Sequence, residues 1–300
     1  MSEKRTVLVA GATGQQGGAV VDALLARGHH ARALTRRPGS DAAKALTARG
    51  VEVFSGDLED AASVVAAATG ADTAFLMGNF YEIGEEGEVR QGIAAANAIK
   101  AAGVGHLIYS SVASANRATG IAHFESKFRV EQHITGLGVP YTISAPVAFM
   151  DNVIAPWSVG ALLGGKLAFG LPPKRDNQLI GLIDIGAFIA SLVERREAVF
   201  GRRFDIAGDQ LNGEAQAAVL SKAAGRPIHF EQIPLTALRQ QNAEVATMME
   251  WFDRVGYDAD IAALRREFTD VPWHSFAQWA ETIDWRALEK AAAAAAQQSS

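Results

Sequence analysis

Three glycines, two arginines and a histidine–lysine pair carry most of the chemistry legible in this sequence. The stretch VLVAGATGQQGGAVVDALL spaces Gly11, Gly14 and Gly17 three apart, after an apolar run and before a segment with helical periodicity. In that setting the first glycine permits a tight turn and the second lets the backbone approach a diphosphate. The third lets the helix pack close to the strand. Unsatisfied N–H groups at the helix start favour phosphate, so Gly11, Thr13, Gly14, Gln15, Gln16 and Gly17 form the expected binding loop. No Gly-Lys-Ser/Thr follows, which favours a dinucleotide over a triphosphate. A glycine-rich turn without a ligand is the alternative.

About twenty residues on, a site for an unphosphorylated ribose usually offers Asp or Glu to the 2′-hydroxyl. Here the sequence reads ALTRRPGS, with Arg36 and Arg37 and no carboxylate. Guanidinium groups pair well with a 2′-phosphate, so NADP(H) is expected rather than NAD. Two solvated arginines in a loop are the plainer reading. SGDLED follows the third apolar run, so Asp57 and Leu58 either border an adenine ring or Asp57 caps the helix beginning near Ala61. FLMGNF ends the fourth and places Asn79 and Phe80 toward the nicotinamide half.

Strands are expected at Thr6 to Ala10, His30 to Thr35, Val51 to Ser55, Asp72 to Met77, His106 to Ser110 and Tyr141 to Ser144. Amphipathic segments lie between them, at Ala19 to Arg27, Ala42 to Ala48, Ala61 to Ala68 and Val89 to Ala102. This alternation predicts an α/β fold, a doubly wound parallel sheet of the Rossmann type with ligands at the strands' C-terminal ends. A smaller α+β C-terminal substrate lobe should follow. The expected division is a dinucleotide-binding domain over residues 1–150, rejoined by 179–207, and a lobe of 151–178 and 208–290. Residues 291–300 form a low-complexity tail. Pro156 to Gln178, with its prolines and glycines, reads as loop and turn, and Leu235 to Leu288 as helical.

The chain resembles the NmrA-like family, a branch of the atypical short-chain dehydrogenase/reductases. The resemblance rests on the glycine stretch, ALTRRP, GVEVFSGDLED, HLIYSSV, HFESKFRVEQHI, YTISAPVAFMDN and DIAGDQLNGEAQAAVLSKAAGRPIHFEQIP. It implies a Rossmann domain for NADP(H) with a small lobe closing a cleft. The family holds both reductases of quinones, dyes and other small organics, and nucleotide sensors that regulate a partner. An enzyme reading therefore competes with a non-catalytic redox sensor.

The parent superfamily uses Tyr-x-x-x-Lys, which sets both side chains on one helical face. Here the spacing is His123-x-x-x-Lys127. The usual proton donor is missing and the lysine is kept. The resemblance implies that Lys127 holds ribose hydroxyls; a surface pair with Glu131 one turn on is the alternative. His123 could donate a proton near neutral pH or be simply structural. Ser111, with Ser110, falls where the superfamily places a substrate-orienting serine, or else satisfies strand-end backbone groups. A quinonoid or conjugated acceptor can take hydride and collect its proton from water, which lowers the demand for a strong acid.

Phe149, Met150, Asn152 and Trp157, with Phe80, are the candidate substrate wall, although aromatic and Met residues at such spacing also build cores. With no cysteine and no paired histidine ligands, neither thiolate nor metal chemistry is expected. An apolar share of 49% and a net charge of −5 without charge blocks argue against nucleic-acid or membrane contact. A cytoplasmic setting, a small-molecule partner and possible homodimerisation complete the expectations.

Overall fold

The computed structural model describes residues 3–298. In chain order it begins with β1 (Thr6–Ala10), α1 (Gln15–Ala26), β2 (His30–Thr35), α2 (Asp41–Ala48), β3 (Glu52–Ser55) and α3 (Ala61–Ala68). There follow β4 (Thr73–Met77), α4 (Phe80–Ala101), β5 (Leu107–Ser110), α5 (Ala122–Gly136) and β6 (Tyr141–Pro146). Then come β7 (Ala148–Phe149), α6 (Val159–Leu163), β8 (Lys166–Phe169) and β9 (Asn177–Ile180), and next α7 (Leu182–Val199) and β10 (Arg202–Ile206). The chain ends with β11 (Asp209–Leu211), α8 (Gly213–Ala224), β12 (His229–Gln232), α9 (Leu235–Gln241), α10 (Ala243–Arg254), α11 (Ile261–Glu267), α12 (Phe276–Glu281) and α13 (Trp285–Gln298).

The chain forms two compact units. The first comprises residues 1–146, 182–206 and 263–272, and the second 147–181, 207–262 and 273–300. The first crossing thus falls at Pro146, before the expected boundary at 150. A short stretch near residue 270, expected in the lobe, belongs instead to the first unit. The expected 291–300 tail is helical through Gln298; its last two residues lie outside the described ones.

The first unit is a seven-stranded parallel sheet in the order β10-β6-β5-β4-β1-β2-β3. The order reverses beside β1, so the β1–α1 turn opens at the switch point where such sheets bind ligands. Strand residues such as Val7, Val9, Ala74, Phe75, Leu107 and Ile108 are buried, as expected for strands covered on both faces. Helix α1 approaches its neighbours at backbone distance. A Cβ on Gly17 would lie 2.2 Å from the Gly11 carbonyl oxygen, and one on Gly186 of α7 would lie 2.2 Å from that of Ala19. Arg27 fastens the late stretch into place, with Nη1 2.8 Å from both Glu194 and Asp270. Beneath it, the buried Phe268 packs edge-on to Phe188 and Phe204.

The second unit holds two small sheets, β11-β9-β7 and β12-β8. Its core joins Met150, Leu162, Leu167, Leu220, Ile228, Phe276 and Trp279. Helix α6 and strand β8 lie inside the stretch expected to be loop. Their apolar residues are few, and Leu162 and Leu167 are buried in a core completed by distant residues such as Leu220 and Trp279. The expected helical run to Leu288 is interrupted by non-helical backbone around residues 256–260 and 269–275.

His106, immediately before β5, is fully buried, with its ring 5.0 Å from that of Phe200. The hydroxyl of Thr142 donates to the Val199 carbonyl, so His106 Nε2 must donate to Thr142 Oγ1 at 2.8 Å. Burial first, and then the charges of Arg196 and Arg5, lower its pKa from 6.5 to about 3. The folded protein therefore keeps this ring neutral where the unfolded chain protonates it. That contribution to stability is complete above the unfolded value and is lost as pH falls toward the folded one, by at most about 1.4 kcal/mol per pH unit. Unfolding free energy measured in urea should fall between pH 7 and pH 5, and His106→Gln should flatten that slope. His29, whose pKa burial also lowers, titrates in both proteins. An unchanged slope in the variant would show that the titration lies elsewhere.

Candidate functional site

The glycine loop has the geometry its sequence anticipates. Gly11 takes φ +71°, a conformation that favours glycine, and the Gly14 amide closes the turn on the Gly11 carbonyl at 2.8 Å. Gly14 caps α1 in an extended conformation, and no side chain satisfies the helix's first N–H groups. Gly11, Thr13, Gly14 and Gln15 are exposed, so those donors face outward from the sheet edge. A diphosphate fits this arrangement. Gln16 departs from the expected role. It is buried, and its Nε2 donates to Ser110 Oγ at 2.7 Å, tying α1 to the end of β5.

Neighbouring strand ends bring the adenosine-side candidates to the same edge. Ala10 pairs with Leu34, and Thr35 with Ser55, so the residues after β2 and β3 emerge beside the glycine loop. Arg36 and Arg37 are exposed there. Arg36 Nη2 lies 2.6 Å from Glu82 Oε1, and this carboxylate raises the guanidinium pKa further. Asp57 does not cap α3. Its Oδ1 accepts from the Glu59 amide at 3.0 Å, while Asp60 caps the helix by accepting from Ala62. Leu58 packs partly buried on the sheet core. Asn79, at the N-cap of α4, donates from Nδ2 to Glu82 Oε2 at 3.2 Å.

Lys127 pairs with a residue that sequence reading passed over. Its Nζ lies 2.5 Å from Oε1 of Glu88, not on Glu131. The Glu88 side chain is wholly buried and also accepts from the Ser126 hydroxyl. A Cβ at Gly78 would sit 2.5 Å from Glu88 Oε1, so a larger residue after β4 would have to displace this carboxylate. Gly92 likewise admits Val130 between α4 and α5, where a Cβ would come within 2.7 Å. A buried carboxylate with two hydrogen-bond partners fixes the ammonium more firmly than a solvated pair would. GEEGEVRQ resembles a run of solvated helical charge, and no local pattern marks Glu88 as the buried one.

His123, one turn before Lys127, is largely buried. Its ring centroid lies 4.8 Å from that of Phe124, 5.6 Å from Phe80 and 5.8 Å from Tyr81. Tyr81 itself is 69% exposed, so the cluster presents an open aromatic face. Ser111 is buried and its hydroxyl donates to Glu131. Glu131 also accepts from Arg203 Nε at 3.0 Å, and Arg203 Nη2 donates to the Val112 carbonyl at 2.9 Å. Asp205 completes the tie by accepting from the Ser114 amide at 3.1 Å and pairing with Arg203. This network braces a strained segment, since Ser114 and Ala118 both take positive φ. Ser111 is thus engaged in holding the segment after β5.

Of the candidates in the second unit, Met150 is fully buried in that unit's core and serves packing. Phe149 lies in β7, paired beside Ile180, and is half-buried. Asn152 is exposed, and Trp157 is 74% exposed. Among the described residues no cluster of metal ligands occurs, and no helix is long and apolar enough to cross a membrane.

A Rossmann-type unit with a glycine loop at its switch point defines an NAD(P)-binding protein. The chain belongs to the NmrA-like family, whose model matches residues 3–294. It is 30% identical over 289 residues to a (4-alkanoyl-5-oxo-2,5-dihydrofuran-3-yl)methyl phosphate reductase of Streptomyces griseus, covering 91% of this chain and 96% of that protein. It is 30% identical to an NAD(P)H azoreductase of Xenophilus azovorans, covering 78% and 79%. The fold matches NmrA, a negative transcriptional regulator crystallised with NADP, with a TM-score of 0.78 at 21% identity over 96% and 98% of the two chains.

The close approach at Gly17 sets an expectation. Gly17→Ala must force α1 away from the loop, since the obstructing atoms are backbone, whereas a Cβ at Gly14 would meet the Gly11 oxygen at 3.3 Å. Urea unfolding should show Gly17→Ala costing about 1–3 kcal/mol, and Gly14→Ala clearly less. Equal costs would place the constraint elsewhere in the loop.

Proposed function

We propose that the protein is an NADPH-dependent oxidoreductase that reduces a small organic acceptor such as a quinone, conjugated carbonyl, imine or dye. The observation that carries this reading is Lys127 held on the buried Glu88 beside an open aromatic face. A protein that only registers the dinucleotide has less need to anchor a lysine this way. The relatives named reductases support the same reading.

In this reading the glycine loop's free N–H groups take the diphosphate, and Arg36 with Arg37 takes the 2′-phosphate. Lys127, oriented by Glu88, holds the nicotinamide-ribose hydroxyls and so fixes the ring's position. A dinucleotide held there would supply the hydride for the acceptor. The exposed Tyr81 ring, with Phe80 standing edge-on to it, offers one aromatic face for a conjugated acceptor to stack on. His123, packed among aromatic rings, acts chiefly in supporting that surface, and the acceptor's proton comes from water. The protein contributes binding and orientation.

Two measurements test the proposal. NADPH oxidation across a panel of quinones, azo dyes, imines and conjugated carbonyls should reveal turnover, and Lys127→Met should lower kcat/KM at least about tenfold. Tight NADPH binding with no turnover on any class would favour the sensor reading. Replacing Arg36 and Arg37 together by Ala should weaken NADPH roughly ten- to a hundredfold more than NADH, the scale of lost charge-assisted hydrogen bonds. Equal losses for both dinucleotides would remove the 2′-phosphate assignment.

A further inference from the structure

We infer that Glu82 sets how strongly this site discriminates between dinucleotides with and without a 2′-phosphate. The inference rests on the NADP(H) reading above. The residues following β2 carry two arginines and no carboxylate. The fold supplies the missing carboxylate from another element, because Glu82 in the first turn of α4 reaches Arg36 at 2.6 Å. Its second oxygen is steadied by Asn79 at 3.2 Å. Both members of the ion pair are about half exposed, so a ligand can reach them.

A 2′-phosphate arriving at Arg36 carries close to two negative charges. It must share the guanidinium with Glu82 or push the carboxylate aside. A 2′-hydroxyl meets the opposite situation, since it can donate to that same carboxylate. Glu82 therefore works against NADPH and in favour of NADH through the same oxygens. An exposed ion pair is weak, so Glu82 tunes the preference without reversing it.

The carboxylate sits on a segment set apart from the rest of its helix. Helix α4 is broken at Gly84, with φ 70° and ψ −179°, so residues 80–83 form a turn of their own ahead of the continuous helix. A Cβ at Gly84 would meet nothing within 4 Å, so this position calls for glycine by its backbone angle and not by crowding. The break at Gly84 places Glu82 in a turn separate from the continuous helix that holds Glu88.

Calorimetric titration of the full-length protein tests the assignment, using NADPH and NADH, and also adenosine 2′,5′-bisphosphate and AMP, which probe the adenosine end alone. Glu82→Gln should tighten NADPH and the bisphosphate about fivefold and leave NADH and AMP unchanged or weaker. Glu82→Ala should do the same, and the gain should vanish in an Arg36→Ala background. The inference is overturned if Glu82→Gln changes the NADPH-to-NADH affinity ratio less than twofold while Arg36→Ala still costs NADPH selectively. If Arg36→Ala weakens both dinucleotides equally, the 2′-phosphate reading itself fails and the inference falls with it.

Discussion

Helix α1 is gripped at backbone distance from two sides, and the first unit is organised around that grip. Gly17 lets the helix meet the β1 turn, and Gly186 lets α7 meet the helix at Ala19. A glycine in a helix interior costs about 1 kcal/mol in propensity relative to alanine. Here the cost is offset by an approach that no other residue permits. With α1 so constrained, its uncapped N-terminus points along the switch-point edge, and Gln16 can reach Ser110 across the sheet. The binding loop is therefore a product of helix packing as much as of loop sequence.

The side of the edge that carries Lys127 and Ser111 is organised by buried charge. Glu88 is admitted by Gly78 and bonded to Ser126 and Lys127, and Glu131 joins Ser111 to Arg203. Buried ion pairs contribute little net stability once desolvation is counted, but losing one partner leaves a costly unpaired charge. Such groups hold geometry well, because partial rearrangements are expensive. The two networks flank the segment after β5 and the face of α5 that carries His123 and Lys127.

Much of the fold could be read from the chain. The six strands of the first half lie within a residue or two of their apolar runs, and α3 matches its expected ends. These elements have strong periodicity or sharp turn residues at their borders. Reading failed where burial depends on distant partners. Strand β8 and helix α6 are short and locally unremarkable, and α4 begins well before its helical pattern because Gly84 interrupts it. In the site, the glycines and arginines announced themselves by type and spacing. Glu82 and Glu88 did not, because their partners lie 46 and 39 residues away and only the sheet brings them together.

The path of the chain between its two units also governs how the protein is made. It passes from one unit to the other after residues 146, 181, 206, 262 and 272. As the polypeptide emerges during synthesis, β6 waits as an open sheet edge until β10 arrives, and α1 lacks α7 over the same interval. Exposed edges of this kind invite pairing with other chains. The first unit is completed only when Phe268 and Asp270 are in place, so a stop codon or protease cut shortly after residue 262 removes a piece of the dinucleotide-binding sheet's own support. Neither unit can be cut out as one continuous fragment, and any fusion or truncation must respect the whole chain.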